Sequence, residues 1–149
     1  GWRIDWCKGD YFGVSPRFRD SISRLIYPVP VHAGLGIHLT LDLSGSVIAG
    51  PDTEYVDRLD YDVSPSKAKV FAHAVRRYLP NVQASDFTPG YAGIRPKLQG
   101  PGDPVRDFIV DHQKGGDFAG LINLIGIESP GLTASEALAH HVCDLVEDA

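Results

Sequence analysis

The clearest periodicity lies in residues 65–79, where Ala68, Phe71, Ala72, Val75 and Leu79 fall on one helical stripe while Lys69, His73, Arg76 and Arg77 lie off it. Ser64 suits the N-cap, Pro65 the first helical position and Pro80 the stop, so the pattern predicts an amphipathic helix covering one side of a sheet. A different period marks residues 35–43: Ile37, Leu39 and Leu41 face one way, His38, Thr40 and Asp42 the other, as in a strand. Ser44, Gly45 and Ser46 then turn it back into residues 47–49, a hairpin by spacing and by its glycine.

Further strands are marked by short apolar runs between breakers. Residues 2–7 and 10–14 read as two extended segments separated by Lys8 and Gly9. A mixed-charge, solvated connection (Arg17, Arg19, Asp20, Arg24) leads to a short strand at 25–27 and a loop at 29–34. Residues 87–98 are extended with an interruption at Pro89 and Gly90, and a long turn follows over 100–104. Residues 108–112 form a strand that a loop at 113–117 folds back towards a buried strand at 121–125. From there Ser129 as N-cap and Pro130 as first residue open a terminal helix over 130–147, with Leu138, Val142 and Leu145 as its stripe. Strands and hairpins with one interior and one terminal helix define an α+β fold: an antiparallel or mixed sheet, one covering helix and a C-terminal strand-helix unit.

Composition narrows the function. A net charge of -5, with both signs mixed along 149 residues, argues against nucleic acid, which selects a basic face. No apolar run is long enough to span a membrane, and the start of the chain lacks a secretory apolar core. Cys7 and Cys143 have no metal-ligand spacing, and none of the six histidines forms an HExxH pair, so no metal site is expected and a reducing, cytosolic compartment fits. Methionine is absent and the chain opens on what reads as a strand interior, so the chain is expected to be a piece of a longer protein.

Several residues could carry chemistry. Arg95 presents a planar fork that matches a carboxylate; the bare residue serves equally as a surface ion pair. Lys97 shares its strand face and adds positive charge. His38 is suited to accept a proton near neutral pH, although a lone strand histidine is more often structural, and Tyr11 and Tyr91 could donate hydrogen bonds or form wall. The stretch Gly126-Ile127-Glu128-Ser129-Pro130-Gly131-Leu132-Thr133 reads either as a well-capped strand-to-helix connection or as a turn that exposes backbone N–H groups to an anion, with Gly131 allowing close approach.

Taken together, residues 126–135, Tyr91-Ala92-Gly93-Ile94-Arg95-Pro96-Lys97 and residues 35–42 resemble the FAD-dependent oxidoreductases of the D-amino-acid oxidase superfamily, and most nearly the L-2-hydroxyglutarate dehydrogenase/oxidase-like branch. The resemblance runs in order from Lys8 to the terminal helix. It implies FAD as cofactor, a small carboxylic acid as substrate and hydride abstraction from its alpha carbon. It further implies that Arg95 binds the substrate carboxylate and that the turn with Gly126, Ile127, Ser129, Gly131, Leu132 and Thr133 meets the flavin ring; beside these, Lys97, Tyr91 and Tyr11 are candidates for the substrate side, and His38 for the proton acceptor if its strand face lines the pocket. Glu128 would oppose negative charge on that ring and is expected to cap or point outward.

On this reading residues 1–120 form the substrate-binding side, and 121–149 complete an FAD domain whose N-terminal half is the missing partner. No GxGxxG unit is present: Gly34-Leu35-Gly36 lacks the third glycine and leads into a strand. The chain alone is therefore expected to bind FAD weakly or not at all, to show little activity, and to expose surface open to self-association. A glycine-oxidase-like amine oxidase and a non-catalytic carboxylate-binding domain are the alternatives.

Overall fold

The computed structural model describes residues 2–29 and 36–147. Its α+β architecture is built from β1 (Asp5–Val14), β2 (His38–Leu41), β3 (Val47–Gly50), β4 (Glu54–Val56), α1 (Ala68–Val75), β5 (Phe87–Lys97), β6 (Ile109–His112), β7 (Ile122–Ile125) and α2 (Ser135–Glu147). The chain forms two compact units, one of residues 7–94 and one of residues 1–6 with 95–149.

In the unit of residues 7–94 the strands run in the order β2-β3-β1-β4, and β5 also pairs with β1. β2 and β3 are antiparallel, with Leu39 opposite Ala49 and Leu41 opposite Val47, so the hairpin expected at Ser44 to Ser46 is present. Its turn is held by the Asp42 carboxylate, which accepts the N–H groups of Ser44 and Ser46, each at 2.8 Å, and the Ser44 hydroxyl at 2.7 Å. The Ser44 hydroxyl, then the Ser46 and Ser44 amides, hold the Asp42 pKa below its ordinary value.

The expected helical stripe is the one buried: Ala68, Phe71, Ala72, Val75 and Leu79 all join the core. The regular helix is only α1, preceded by a 3-10 turn at Pro65–Lys67, and Ser64 makes no side-chain cap. Eight residues are too few for a helix to hold itself in water, so packing sustains it. Phe71 meets Phe12 at 4.5 Å between ring centres, and Phe87 lies 6.4 Å from each.

Three expectations about the strands are corrected. Lys8 and Gly9 do not break the first extended segment. A Cβ on Gly9 would lie 2.7 Å from the Pro51 Cβ, so the glycine marks a close approach inside one long strand. Pro89 and Gly90 likewise leave β5 continuous, because a Cβ on Gly90 would sit 2.9 Å from the Tyr11 carbonyl oxygen. Residues 25–27 form only a single bridge, Ile26 to Leu39, rather than a strand. The expected loop at 29–34, from Pro30 on, and Leu35 lie outside the described residues.

In the other unit, β6 and β7 form the expected antiparallel hairpin, with Ile109 opposite Ile125 and His112 opposite Ile122. β7 is not fully buried: Ile122 and Ile125 are half-covered, whereas Leu121 and Leu124 are exposed. The terminal helix begins at Ser135, five residues later than expected, and buries no residue; Leu138, Val142 and Leu145 are half-covered. Residues 129–134 form successive turns instead, across a cis Ser129–Pro130 bond. The amide of Ala134 donates to the Pro130 carbonyl at 2.9 Å and that of Leu138 to Ala134 at 2.9 Å, so regular helix starts after the glycine-containing turn closes.

Candidate functional site

Strand periodicity puts Arg95 and Lys97 on one face of β5, two residues apart with Pro96 between them. Two cations so placed call for an anion, and Glu128 supplies it. The Lys97 ammonium donates to Glu128 Oε1 at 2.7 Å, and Arg95 Nε lies 3.8 Å from Oε2. The second contact is coulombic only, being beyond hydrogen-bond range. Glu128 thus neither caps the terminal helix nor points outward. Its side chain is 13% exposed, against 20% for Lys97 and 30% for Arg95.

Two cations against one carboxylate leave a surplus positive charge, and the two terminal nitrogens of Arg95 make no hydrogen bond among the described residues. That is the half of a guanidinium that recognises a carboxylate in a planar, two-point manner. Glu128 was missed as a partner from sequence. The signal available was charge balance: an Arg-x-Lys pair on one strand face requires a counter-charge, and Glu128 lies in the adjoining turn.

Glu128 ties this pair to the turn of residues 126–133. Gly126 ends β7 with φ +69°, and a Cβ there would lie 2.6 Å from Leu98 Cδ1, so glycine is required on both counts. Gly131 donates its N–H to the Glu128 carbonyl oxygen, and a Cβ on it would meet Ile127 Cγ2 at 2.5 Å and that same oxygen at 2.6 Å. The close approach expected of a foreign molecule at Gly131 is therefore internal. Ser129 does not act as an N-cap, since the helix starts at Ser135, whose own hydroxyl donates to the Leu132 carbonyl at 2.8 Å. What the turn does offer are the amides of Leu132 and Thr133, which donate to no group among the described residues. They border an open recess of about 390 Å³ lined by residues 127–133.

The remaining expected residues lie in the unit of residues 7–94. Tyr11 and Tyr91 stack with ring centres 4.5 Å apart and planes 15° from parallel, Tyr91 being the exposed partner. His38 is buried on β2, its ring 4.1 Å from that of Tyr27, so both faces of β2 are covered there rather than one lying open.

A second ionic cluster in this unit was not anticipated. The Lys67 ammonium contacts Asp10 at 2.6 Å, Asp52 at 2.9 Å and Glu54 at 2.6 Å. Burial draws the Lys67 pKa down, but the hydrogen bonds of Asp10, Glu54 and Asp52 outweigh it and raise the pKa above the ordinary lysine value. Asp10, fully buried, also faces Lys8 at 3.6 Å, and Lys8 donates to the Asp62 carbonyl at 2.5 Å. An ammonium fills the middle of this carboxylate group, and no metal-binding group occurs among the described residues.

Arg17 is exposed, as expected, and also grips Asp86 with two hydrogen bonds of 2.8 Å. It borders an open recess of about 690 Å³ that Arg76 and residues 80–85 also line.

The chain belongs to the DAO family of FAD dependent oxidoreductases, whose family model matches residues 3–145. Among its relatives, the mitochondrial L-2-hydroxyglutarate dehydrogenase of Arabidopsis thaliana is 39% identical over 149 residues, which covers 93% of this chain and 31% of that protein. The glycerol 3-phosphate dehydrogenase of Caloramator mitchellensis is 25% identical over 142 residues, covering 95% of this chain and 28% of that one. The chain thus spans about a third of the length of these relatives. A solved structure of the L-alpha-glycerophosphate oxidase from Mycoplasma pneumoniae, dithionite-reduced with FAD bound, shares the fold. Its TM-score is 0.74 at 20% identity, covering 98% of this chain and 37% of that one.

The residues present fit the ring end of FAD. The unclaimed amides of Leu132 and Thr133 suit an anionic edge, and the recess beside them is open. They do not include a glycine-rich fingerprint for the nucleotide end.

Proposed function

We propose that this chain forms the acid-binding and ring-facing part of an FAD-dependent dehydrogenase or oxidase that removes hydride from the alpha carbon of a small 2-hydroxy acid. One observation carries the reading. Within a single compact unit, a guanidinium with unclaimed terminal nitrogens and a surplus of positive charge is joined through Glu128 to a turn with two unclaimed amides. FAD, when bound, supplies the hydride acceptor. Arg95 holds the substrate carboxylate in two-point contact, which fixes the orientation of the adjacent alpha carbon. The Leu132 and Thr133 amides favour negative charge at the recess, as preorganised donors do wherever charge develops.

His38 is the candidate acceptor of the hydroxyl proton, and the Tyr11–Tyr91 pair is a candidate wall of the substrate side. Residues 121–149 complete the FAD domain, the partner is an N-terminal FAD-binding half, and a sequence whose two cysteines, Cys7 and Cys143, lie at opposite ends suits a reducing compartment such as the cytosol.

The test is turnover by the chain joined to a Rossmann-type FAD-binding half, comparing L-2-hydroxyglutarate, glycerol 3-phosphate and glycine. The reading predicts the highest kcat/KM for the hydroxy acid. Preference for glycine would establish an amine oxidase instead, and no turnover of any of the three would favour a carboxylate-binding domain without catalysis. The chain alone should lose FAD on dialysis; a sample that stays yellow would contradict the role given to the absent half.

A further inference from the structure

We propose that Lys97 is a positioning residue whose task is to hold Glu128 off the Arg95 fork, and that Glu128 thereby sets which acids the site accepts. This rests on the reading of Arg95 as the carboxylate anchor. The geometry is asymmetric. Lys97 makes a full charge-assisted hydrogen bond to Glu128 at 2.7 Å, while Arg95 makes none and has its Nε 3.8 Å from Oε2. The Glu128 backbone is held, because its carbonyl oxygen accepts the Gly131 N–H and lies only 2.6 Å from where a Gly131 Cβ would be. The side chain is the part free to choose between the two cations.

Two consequences follow from charge alone. Without the Lys97 ammonium, the nearest cation to Glu128 is Arg95, and a small side-chain rotation closes a two-point pair on the fork that an incoming acid needs. Lys97 therefore keeps the site open without touching the substrate. Conversely, with Glu128 neutral, both cations lose their counter-charge while remaining less than a third exposed. The site then attracts a second negative charge, so an acid with two carboxylates gains more than an acid with one.

The experiment is an NMR titration of the 149-residue chain at fixed ionic strength with glutarate and valerate, five-carbon acids bearing two carboxylates and one. The variants are Lys97→Met, Glu128→Gln, the double variant and Arg95→Met. The expected result is that Lys97→Met weakens both acids about tenfold, and that adding Glu128→Gln restores binding to about the wild-type level or above. Glu128→Gln alone should raise the preference for glutarate over valerate about tenfold.

A double variant as weak as Lys97→Met would overturn the guarding role, showing that Lys97 meets the acid itself or only supports the fold. Should Lys97→Met not fold, an unchanged glutarate-to-valerate ratio in Glu128→Gln would overturn the proposal by itself. If Arg95→Met binds as well as wild type, the anchor reading fails and this inference with it, an outcome distinct from the loss of rescue.

Discussion

The two ionic clusters use the same side-chain types in opposite proportions. Around Lys67, three carboxylates converge on one ammonium, with Lys8 as a second cation against Asp10; every charge faces an opposite charge, and the central carboxylate is 0% exposed. Around Glu128, two cations converge on one carboxylate, and the second cation is only loosely engaged. The first arrangement joins β1 and β4 to the start of α1, and its unspent acceptor, Asp10 Oδ1, is buried out of reach of an outside ion. The second leaves charge and donors unspent. Each cluster carries one surplus charge, so what separates a structural cluster from a binding one is where the unspent group lies: at the fully buried Asp10 Oδ1 in the first, and on the partly exposed Arg95 side chain in the second.

The largest expected effect sharpens the structural side. Lys67→Met strands the buried Asp10 with only the more distant Lys8, which should cost about 3 kcal/mol of stability, read as a lowered urea midpoint, with no change in carboxylate binding. The raised Lys67 pKa means that its contribution is fully present below the unfolded lysine value and is lost only as pH rises through the folded one; the neutral range should leave it untouched. A smaller effect belongs to Asp86. The Arg17 hydrogen bonds, opposed by burial and aided by the Gln83 amide, hold its pKa below the ordinary aspartate value. That stability is present above the unfolded value and fades as pH falls through the folded one. Urea midpoints should therefore drop below about pH 4, and Asp86→Asn should lessen that drop; an unchanged profile would exclude the pair as a contributor.

Much of the fold was legible because it rests on local pattern. The α1 stripe, the β2–β3 hairpin and the β6–β7 hairpin follow from spacing and turn residues within a few positions. Gly9 and Gly90 misled because their partners, Pro51 and Tyr11, are remote in sequence and a glycine admitting a neighbour looks like a glycine ending a strand. The late start of α2 escaped notice because Ser129-Pro130 has the chemistry of a helix opening, whereas Gly131 closes a turn there first. At the site, Arg95, Lys97 and the 126–133 turn were readable from residue type and order. The Glu128 link and the Lys67 cluster were not, since a carboxylate 31 residues from Lys97, or 57 from Lys67, is found only once the chain has folded.

The central claim is that the Arg95 fork is the acid anchor. It is tested most directly by titrating L-2-hydroxyglutarate into wild type and Arg95→Lys, following binding by NMR and stability by urea unfolding. Lysine keeps the charge and removes the fork, so affinity should fall about tenfold while the unfolding midpoint stays put. Equal affinities for the two proteins would contradict the account.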